Sequence, residues 1–215
     1  MLILSTLIAA VAQDAPAETE PAAAVEEART YALDGAKSFL GVLVKYDRNA
    51  LVAGHDHVVS PSSFEGTVTW GADLSKCDVH IAFPVTALEV DPAGSRGRFS
   101  LEGETSDGDK KTIKKNLEGK HQLEAESFPE IAFQSKSCEA KGDKVAVTGT
   151  LTMHGVGAPV TALMDVKADE AGFKAKGKFE ATHSTWGLDP FTALLGSLRN
   201  DAGFSFAIDV TGTPK

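Results

Sequence analysis

His55-Asp56-His57 is the one constellation in this chain whose residue types suggest chemistry. Side chains alternate along an extended segment, so His55 and His57 share a face. Both imidazoles can then approach one metal ion, with His154 or His183 as a third ligand. Hydrolysis at zinc would also need an open coordination position and a general base, and the sequence has no H-E-x-x-H pairing. The competing reading is a polar cluster at the rim of the fold, or one histidine touching the head group of an apolar ligand. Ser60, Ser62 and Ser63 follow His57, but no G-x-S-x-G elbow is present to make one of them a nucleophile. His80 falls opposite Val79 and Ile81 on a strand, which points it to solvent, and His121 has no evident partner. No catalytic residue follows from these patterns, and the expectation is a protein that is not an enzyme.

The only cysteines are Cys77 and Cys138. Two cysteines cannot alone build a structural zinc site, and they do not form a C-x-x-C motif. In an oxidising compartment they read as one disulfide. Cys77 opens one strand-like segment and Cys138 closes the next, so antiparallel pairing of the two segments would bring the thiols side by side.

The elements that must position these groups read as strands. Lys144 to Val160, KVAVTGTLTMHGVGAPV, is the clearest stretch: Val145, Val147, Gly149, Leu151 and Met153 fall on one face, and Ala146, Thr148, Thr150, Thr152 and His154 on the other. His154-Gly155-Val156-Gly157 supplies glycine for a turn with positive φ, and a return strand is expected over 159–168. The same period of two recurs at 39–46, 64–71, 77–90, from Ile131 and Phe133 onward, at 172–183, and in GFSFAIDVTG near the end. Eight such segments, apolar on one face and polar on the other, signal an antiparallel barrel or sandwich. Two stretches break the pattern. Residues 107–119 carry Ile113 and Leu117 four apart before Gly119, which predicts one short amphipathic helix between the third and fourth strands. Residues 186–198, WGLDPFTALLGSL, are apolar and alternate poorly, as a loop covering a barrel mouth would.

Leu2 to Val11 followed by Ala10-Val11-Ala12 resembles a signal-peptide core and cleavage site, so residues 1–12 are read as a signal peptide. Residues 13–29 are Ala, Pro and Glu with little to bury, which predicts a disordered acidic tether. The folded domain is expected over 30–215. Its 25 acidic and 20 basic residues leave a balance of −5, which argues against a nucleic-acid partner and offers no polybasic patch to an anionic membrane.

An eight-stranded barrel is just wide enough to be filled by side chains or to hold one slender ligand. Its inward set mixes large residues with Gly66, Gly149, Ala162, Ala175 and Gly177. Small inward residues either leave space along the axis or merely relieve crowding in a solid core, and alternation alone does not separate a tunnel from a filled barrel.

His57 before Phe64-Glu65-Gly66, the F-P-E-I-A-F-Q-S segment at Phe128–Ser135, G-T-L-T-M-H-G-V-G-A-P-V, and Trp186-Gly187-Leu188 occur in the order seen in the YceI-like family, which this chain resembles from about Phe39 to Val210. The segment ALEVDPAGSRGR departs from the family's pattern after the central strand and marks a divergent branch. The resemblance implies a lipocalin-like barrel that holds a long isoprenoid or similar amphiphilic lipid without chemistry. It further implies residence in the periplasm, and dimers among its members. The lipid would contact Val79, Ile81, Phe83, Phe133, Val147, Gly149, Leu151, Met153, Met164, Phe179, Phe206 and Ile208, with Trp186 and Phe191 capping the mouth and His57 at the head group. The rival from another class is a periplasmic metal-binding protein using His55, His57 and His154; a structural barrel without ligand is the third. No cofactor is expected beyond the lipid, and its donor or acceptor is not readable.

Overall fold

A computed structural model describes residues 27–215; the signal-peptide reading and most of the tether reading lie outside them. The described chain is mostly β. Its strands are β1 (Arg29–Leu33), β2 (Phe39–Tyr46), β3 (His57–Pro61), β4 (Glu65–Trp70), β5 (Asp78–Pro84), β6 (Leu88–Val90), β7 (Glu130–Lys141), β8 (Lys144–Met153), β9 (Val156–Ala168), β10 (Phe173–Thr182), β11 (Thr192–Ala193) and β12 (Leu198–Pro214). Two helices, α1 (Ser95–Arg98) and α2 (Asp107–Glu118), lie between β6 and β7. β1 starts at Arg29, the last residue of the stretch expected as tether.

Eight antiparallel strands close a ring in the order β1-β4-β5-β7-β8-β9-β10-β12 and back to β1. Closure is possible because β12 is 17 residues long and serves two partners on one side: its C-terminal end pairs with β1, and its earlier part pairs with β2. β2, β3 and β6 thus extend the strips begun by β1, β4 and β5 into the other half of the barrel. The expected long strand at 77–90 is such a bent strip. Pro84 ends β5, and Val85–Ala87 form a single 3-10 turn before β6 resumes. Proline removes a ladder donor, so the strip bends there.

β1 and β3 have no counterpart among the eight segments read from alternation. In β3, Val58, Val59 and Ser60 are all buried, so the strand lacks a polar face to mark it. β8 and β9 meet at a two-residue turn, His154-Gly155, with φ of 50° and 70°. Such a primed turn matches strand twist, and it lets β9 start at Val156, three residues before the expected position. Pro159 lies in β9 where β8 is its one pairing neighbour, because β10 pairs only from Leu163 onward.

α2 starts where the sequence places it. The Ser106 hydroxyl accepts from Asp109 N–H at 3.1 Å and donates to the Asp109 carboxylate at 2.7 Å, while Asp107 and Asp109 sit in the first turn, each favourable at a helix N-terminus. α2 covers the free edge of β6. Lys114 Nζ donates to the carbonyls of Thr86 at 2.8 Å and Leu88 at 2.5 Å, so a cation satisfies edge acceptors that no strand reaches.

Buried residues form two clusters, one at each end of the barrel. Tyr31, Val68, Val147, Met164, Phe173 and Val210 pack at the end closed by β1. Val59, Val85, Leu123, Ile131, Trp186 and Phe204 pack at the end covered by α2. Cys77 and Cys138 are bonded at the β1 end, with Cα atoms 6.0 Å apart, as the pairing of β5 with β7 requires.

Candidate functional site

A cavity of about 740 Å³ runs between the two clusters, within the range typical of ligand pockets. Val79, Ile81, Phe83, Phe133, Val147, Leu151, Met153, Met164, Phe179, Phe206 and Ile208 line it, as does Phe191 from the loop before β12. The rings of Phe179 and Phe206 stack at 4.2 Å across neighbouring strands. α2 contributes Ile113 and Leu117, and β2 contributes Leu40, Val42 and Val44.

Gly149, expected on the wall, and Trp186, expected as a cap at the mouth, do not line the cavity. A side chain at Gly149 would collide with the Phe133 ring and the Gln134 carbonyl, so the glycine seats that ring and opens no space of its own. Gly177 likewise seats Met164, and Gly66 seats Leu33. The lumen comes from the circumference of the barrel and from alanines such as Ala162 and Ala175, which do line it. Trp186 is fully buried behind the wall: its indole N–H donates to the Leu151 carbonyl at 2.8 Å and its ring packs against Phe204 at 6.0 Å. An indole can be buried this deeply because its one donor finds a partner.

His57 lines the cavity at the α2 end. Its Nδ1 lies 2.7 Å from Oδ2 of Asp91, whose side chain is completely buried. The same carboxylate accepts from Val58 N–H at 2.8 Å, Thr105 Oγ1 at 2.6 Å and Arg96 Nη1 at 3.3 Å. Burial alone would raise the Asp91 carboxyl, but the His57, Thr105 and Val58 donors outweigh it and hold it well below the usual carboxylate range. An ionised Asp91 can only accept, so His57 Nδ1 carries the proton and donates. Asp91 adopts φ of 46°, a left-handed backbone that Asp tolerates better than most residues, and its N–H donates to Val58 O at 2.7 Å. Arg96 donates in addition to the carbonyls of Asp56, Gly103 and Glu102 at 3.0, 2.9 and 2.6 Å. The guanidinium thereby stitches the loop at 102–105 to the start of β3.

The four histidines suggested as a metal site are not brought together as a set. His55 and His57 lie near each other, with ring centroids 6.4 Å apart. His154 is in the β8–β9 turn, against Phe128 at 4.8 Å and 3.8 Å from the Glu124 carboxylate. Among the described residues no group of three or more His, Cys, Asp or Glu side chains is placed to share an ion. His183 lines the cavity wall, with Nδ1 2.9 Å from the Ala202 carbonyl. Burial pushes its pKa below that of an ordinary histidine, against the opposing bond to Ala202.

Asp91, Arg96, Thr105 and Lys114 carry the polar architecture of this end, and the sequence marks Asp91 and Arg96 only as part of the departing segment ALEVDPAGSRGR. Asp91 is 34 residues from His57, and neither periodicity nor motif links them.

Comparison with known proteins places the chain. The family model described as the YceI-like domain matches residues 31–210. The UPF0312 protein plu2095 of Photorhabdus laumondii is 29% identical over 129 residues, covering 56% of this chain and 65% of that protein. Protein YceI of Salmonella arizonae is 30% identical over 100 residues, covering 43% and 52%. The chain therefore spans less than two thirds of these curated relatives' lengths. Among solved structures, Burkholderia cenocepacia BcnA superimposes with a TM-score of 0.61 at 20% identity, covering 84% of this chain and 99% of BcnA. The Campylobacter jejuni YceI protein gives a TM-score of 0.50 at 13% identity, covering 73% and 84%. At these identities the two structures speak to the fold alone. With an apolar lumen inside a closed eight-stranded barrel, and a family model matching from the first strand to the last, the chain belongs to the YceI-like domain family.

Proposed function

We propose that this protein binds a long-chain isoprenoid or similar amphiphilic lipid in the barrel lumen and carries or sequesters it without chemical change. The observation that carries the reading is the cavity of about 740 Å³, mostly apolar along the strands, with polar side chains gathered chiefly where His57, the 102–105 loop and α2 meet it. The YceI-like family is a family of binding proteins, not a known enzyme family. Burying about twenty methylene-sized groups at about 0.8 kcal/mol each contributes on the order of 16 kcal/mol. Ordering and immobilising a flexible chain offsets much of this, which leaves useful affinity from length and girth. Thirteen of the residues expected to meet the lipid, including His57 and Phe191, line this space; Gly149 and Trp186 support it from behind. The disulfide is consistent with an oxidising extracytoplasmic space, and the periplasm is the compartment this reading assigns.

Native mass spectrometry of protein purified from a membrane-containing host tests the proposal. A bound lipid of isoprenoid-like mass is expected. A stoichiometric divalent ion instead would favour the metal-binding reading, and bare apoprotein that stays bare after lipid addition would favour a structural barrel. Ala162→Phe, which adds a ring to the cavity wall, should abolish uptake at a stability cost of about 1–3 kcal/mol.

A further inference from the structure

The proposed site has a sign at its polar end, and that sign selects the head group. Arg96 is the only Lys or Arg side chain lining the cavity, and residues 1–26 contain neither type. Arg96 is already spent on Asp91 and on three backbone carbonyls. Asp91, in turn, is saturated by four donors. Because His57 Nδ1 donates to Asp91, the nitrogen left to the cavity is Nε2, an acceptor in the neutral ring. It has no hydrogen-bond partner among the described residues. Glu102, Glu104 and Asp109 line the same end. Tyr46, Asn116 and Asn200 also line the cavity, but they can donate or accept and set no sign.

We infer that the mouth takes a lipid whose head donates hydrogen bonds, an alcohol or an amine, and rejects an anionic phosphate or diphosphate head. This rests on the lipid-binding reading and deepens it. An alcohol O–H can donate to Nε2. A phosphate would meet three carboxylates and no Lys or Arg free to pair with it, a juxtaposition of like charges that opposes binding.

The test compares geranylgeraniol, geranylgeranylamine and geranylgeranyl diphosphate, three ligands with one chain, by native mass spectrometry and competition at pH 7.5. The alcohol and the amine should bind at least about tenfold more tightly than the diphosphate. Glu104→Lys, at an exposed position, should raise diphosphate affinity. Equal binding of all three, or tightest binding of the diphosphate, overturns the head-group selection while leaving a lipid carrier. Binding of none of them overturns the carrier reading, and this inference falls with it.

A separate observation concerns how lipid reaches the mouth. Of the six large hydrophobic residues exposed among those described, four lie in two loops: Leu51, Val52, Leu194 and Leu195. The loops are tied to each other. Val52 N–H donates to Ser197 O at 2.9 Å, and Arg199 pairs with Asp47 at 2.6 Å. Leu194 and Leu195 both have left-handed backbone, with φ of 51° and 54°, an unfavourable conformation for a leucine. The adjoining residues Ala53, Gly54, Phe191 and Leu198 line the cavity, so the apolar surface is continuous with the lumen. Close to the four apolar residues the charges are paired, Arg48 with Asp56 and Arg199 with Asp47, while Asp189 lies five residues before Leu194.

We propose that this tip docks on the surface of a lipid bilayer, so that a chain passes between membrane and lumen without crossing water. An apolar tip whose nearby charges are paired suits a weakly charged bilayer better than an oppositely charged protein. Flotation of the full chain with phosphatidylcholine vesicles should recover it with the vesicles. Leu51→Asp/Leu195→Asp should reduce recovery about tenfold or more, with no loss of geranylgeraniol binding in solution. Absence of wild-type flotation, or equal flotation of the variant, overturns the proposal. So does a variant that changes only from dimer to monomer, which would make a second copy the occupant.

Discussion

The two ends of the barrel solve the same problem by different means. At the β1 end, main-chain pairing completes the ring, the Cys77–Cys138 bond ties β5 to β7, and an aromatic and aliphatic cluster fills the interior. At the α2 end, β6 has an edge without a strand partner. Lys114 takes the carbonyls of Leu88 in β6 and of Thr86 in the turn before it, and Asp91 gathers His57, Arg96 and Thr105 into one buried node. Strand pairing is dense in hydrogen bonds and leaves no opening. Side-chain bridges hold the chain just as specifically, yet leave gaps between them. A lumen that must admit a ligand therefore has its polar side chains where its strands run out.

Breaking the sealed end should have the largest effect. Replacing both cysteines by serine removes a crosslink closing 61 residues and should cost about 4 kcal/mol in the chain-entropy account. Chemical denaturation of the variant measures this, and the cavity's ligand preference should not change.

At the open end, Asp91→Asn leaves Arg96 without its anion and should cost on the order of 3 kcal/mol. It should also change the pH profile. The folded-state pKa of Asp91 lies below its unfolded value, so its contribution is fully present above about pH 4 and is lost as pH falls below that. Wild-type stability should decline in acid, and the Asn variant should lack this part of the decline. An unchanged acid profile would show that the node does not carry it.

Lys114→Met removes the two donors that pin α2 to β6. The expected cost is about 1–2 kcal/mol, with faster amide hydrogen exchange in 107–118 and unchanged exchange in β8 and β10. Uniformly faster exchange would mean that α2 and the barrel open together.

His183→Gln should have the smallest effect and sharpens the comparison on the lumen wall. A buried histidine with a lowered pKa contributes stability that is present above about pH 6.5 and lost as pH falls through its folded value. Thermal midpoints between pH 5 and 7.5 should therefore depend less on pH in the variant. Equal slopes would assign that pH range to other groups.

Alternation is a local property, and it carried most of the barrel. Lys174, Lys176 and Lys178 against Phe173, Ala175 and Phe179 state which face of β10 is inside without reference to any other strand, and those three apolar residues do line the cavity. The same holds for the ranges of β2 and β8 and the helix at 107–118, which follow from period or capping within a short window; the cysteine pair, 61 residues apart, is legible only because it sits at the start and end of two strands that pair. What the tertiary structure decided depends on groups distant in sequence. Gly149 faces inward by its period, but register sets Phe133 diagonally over it, so only pairing reveals that the space is already taken. Trp186 is apolar and in an apolar loop, and only the Leu151 carbonyl, 35 residues away, draws it behind the wall. The Asp91 node joins β3, α1 and the 102–105 loop through side-chain hydrogen bonds whose partners share no spacing rule. Backbone periodicity repeats and can be read from the chain; a saturated buried carboxylate is a single event in space, assembled by closure of the barrel.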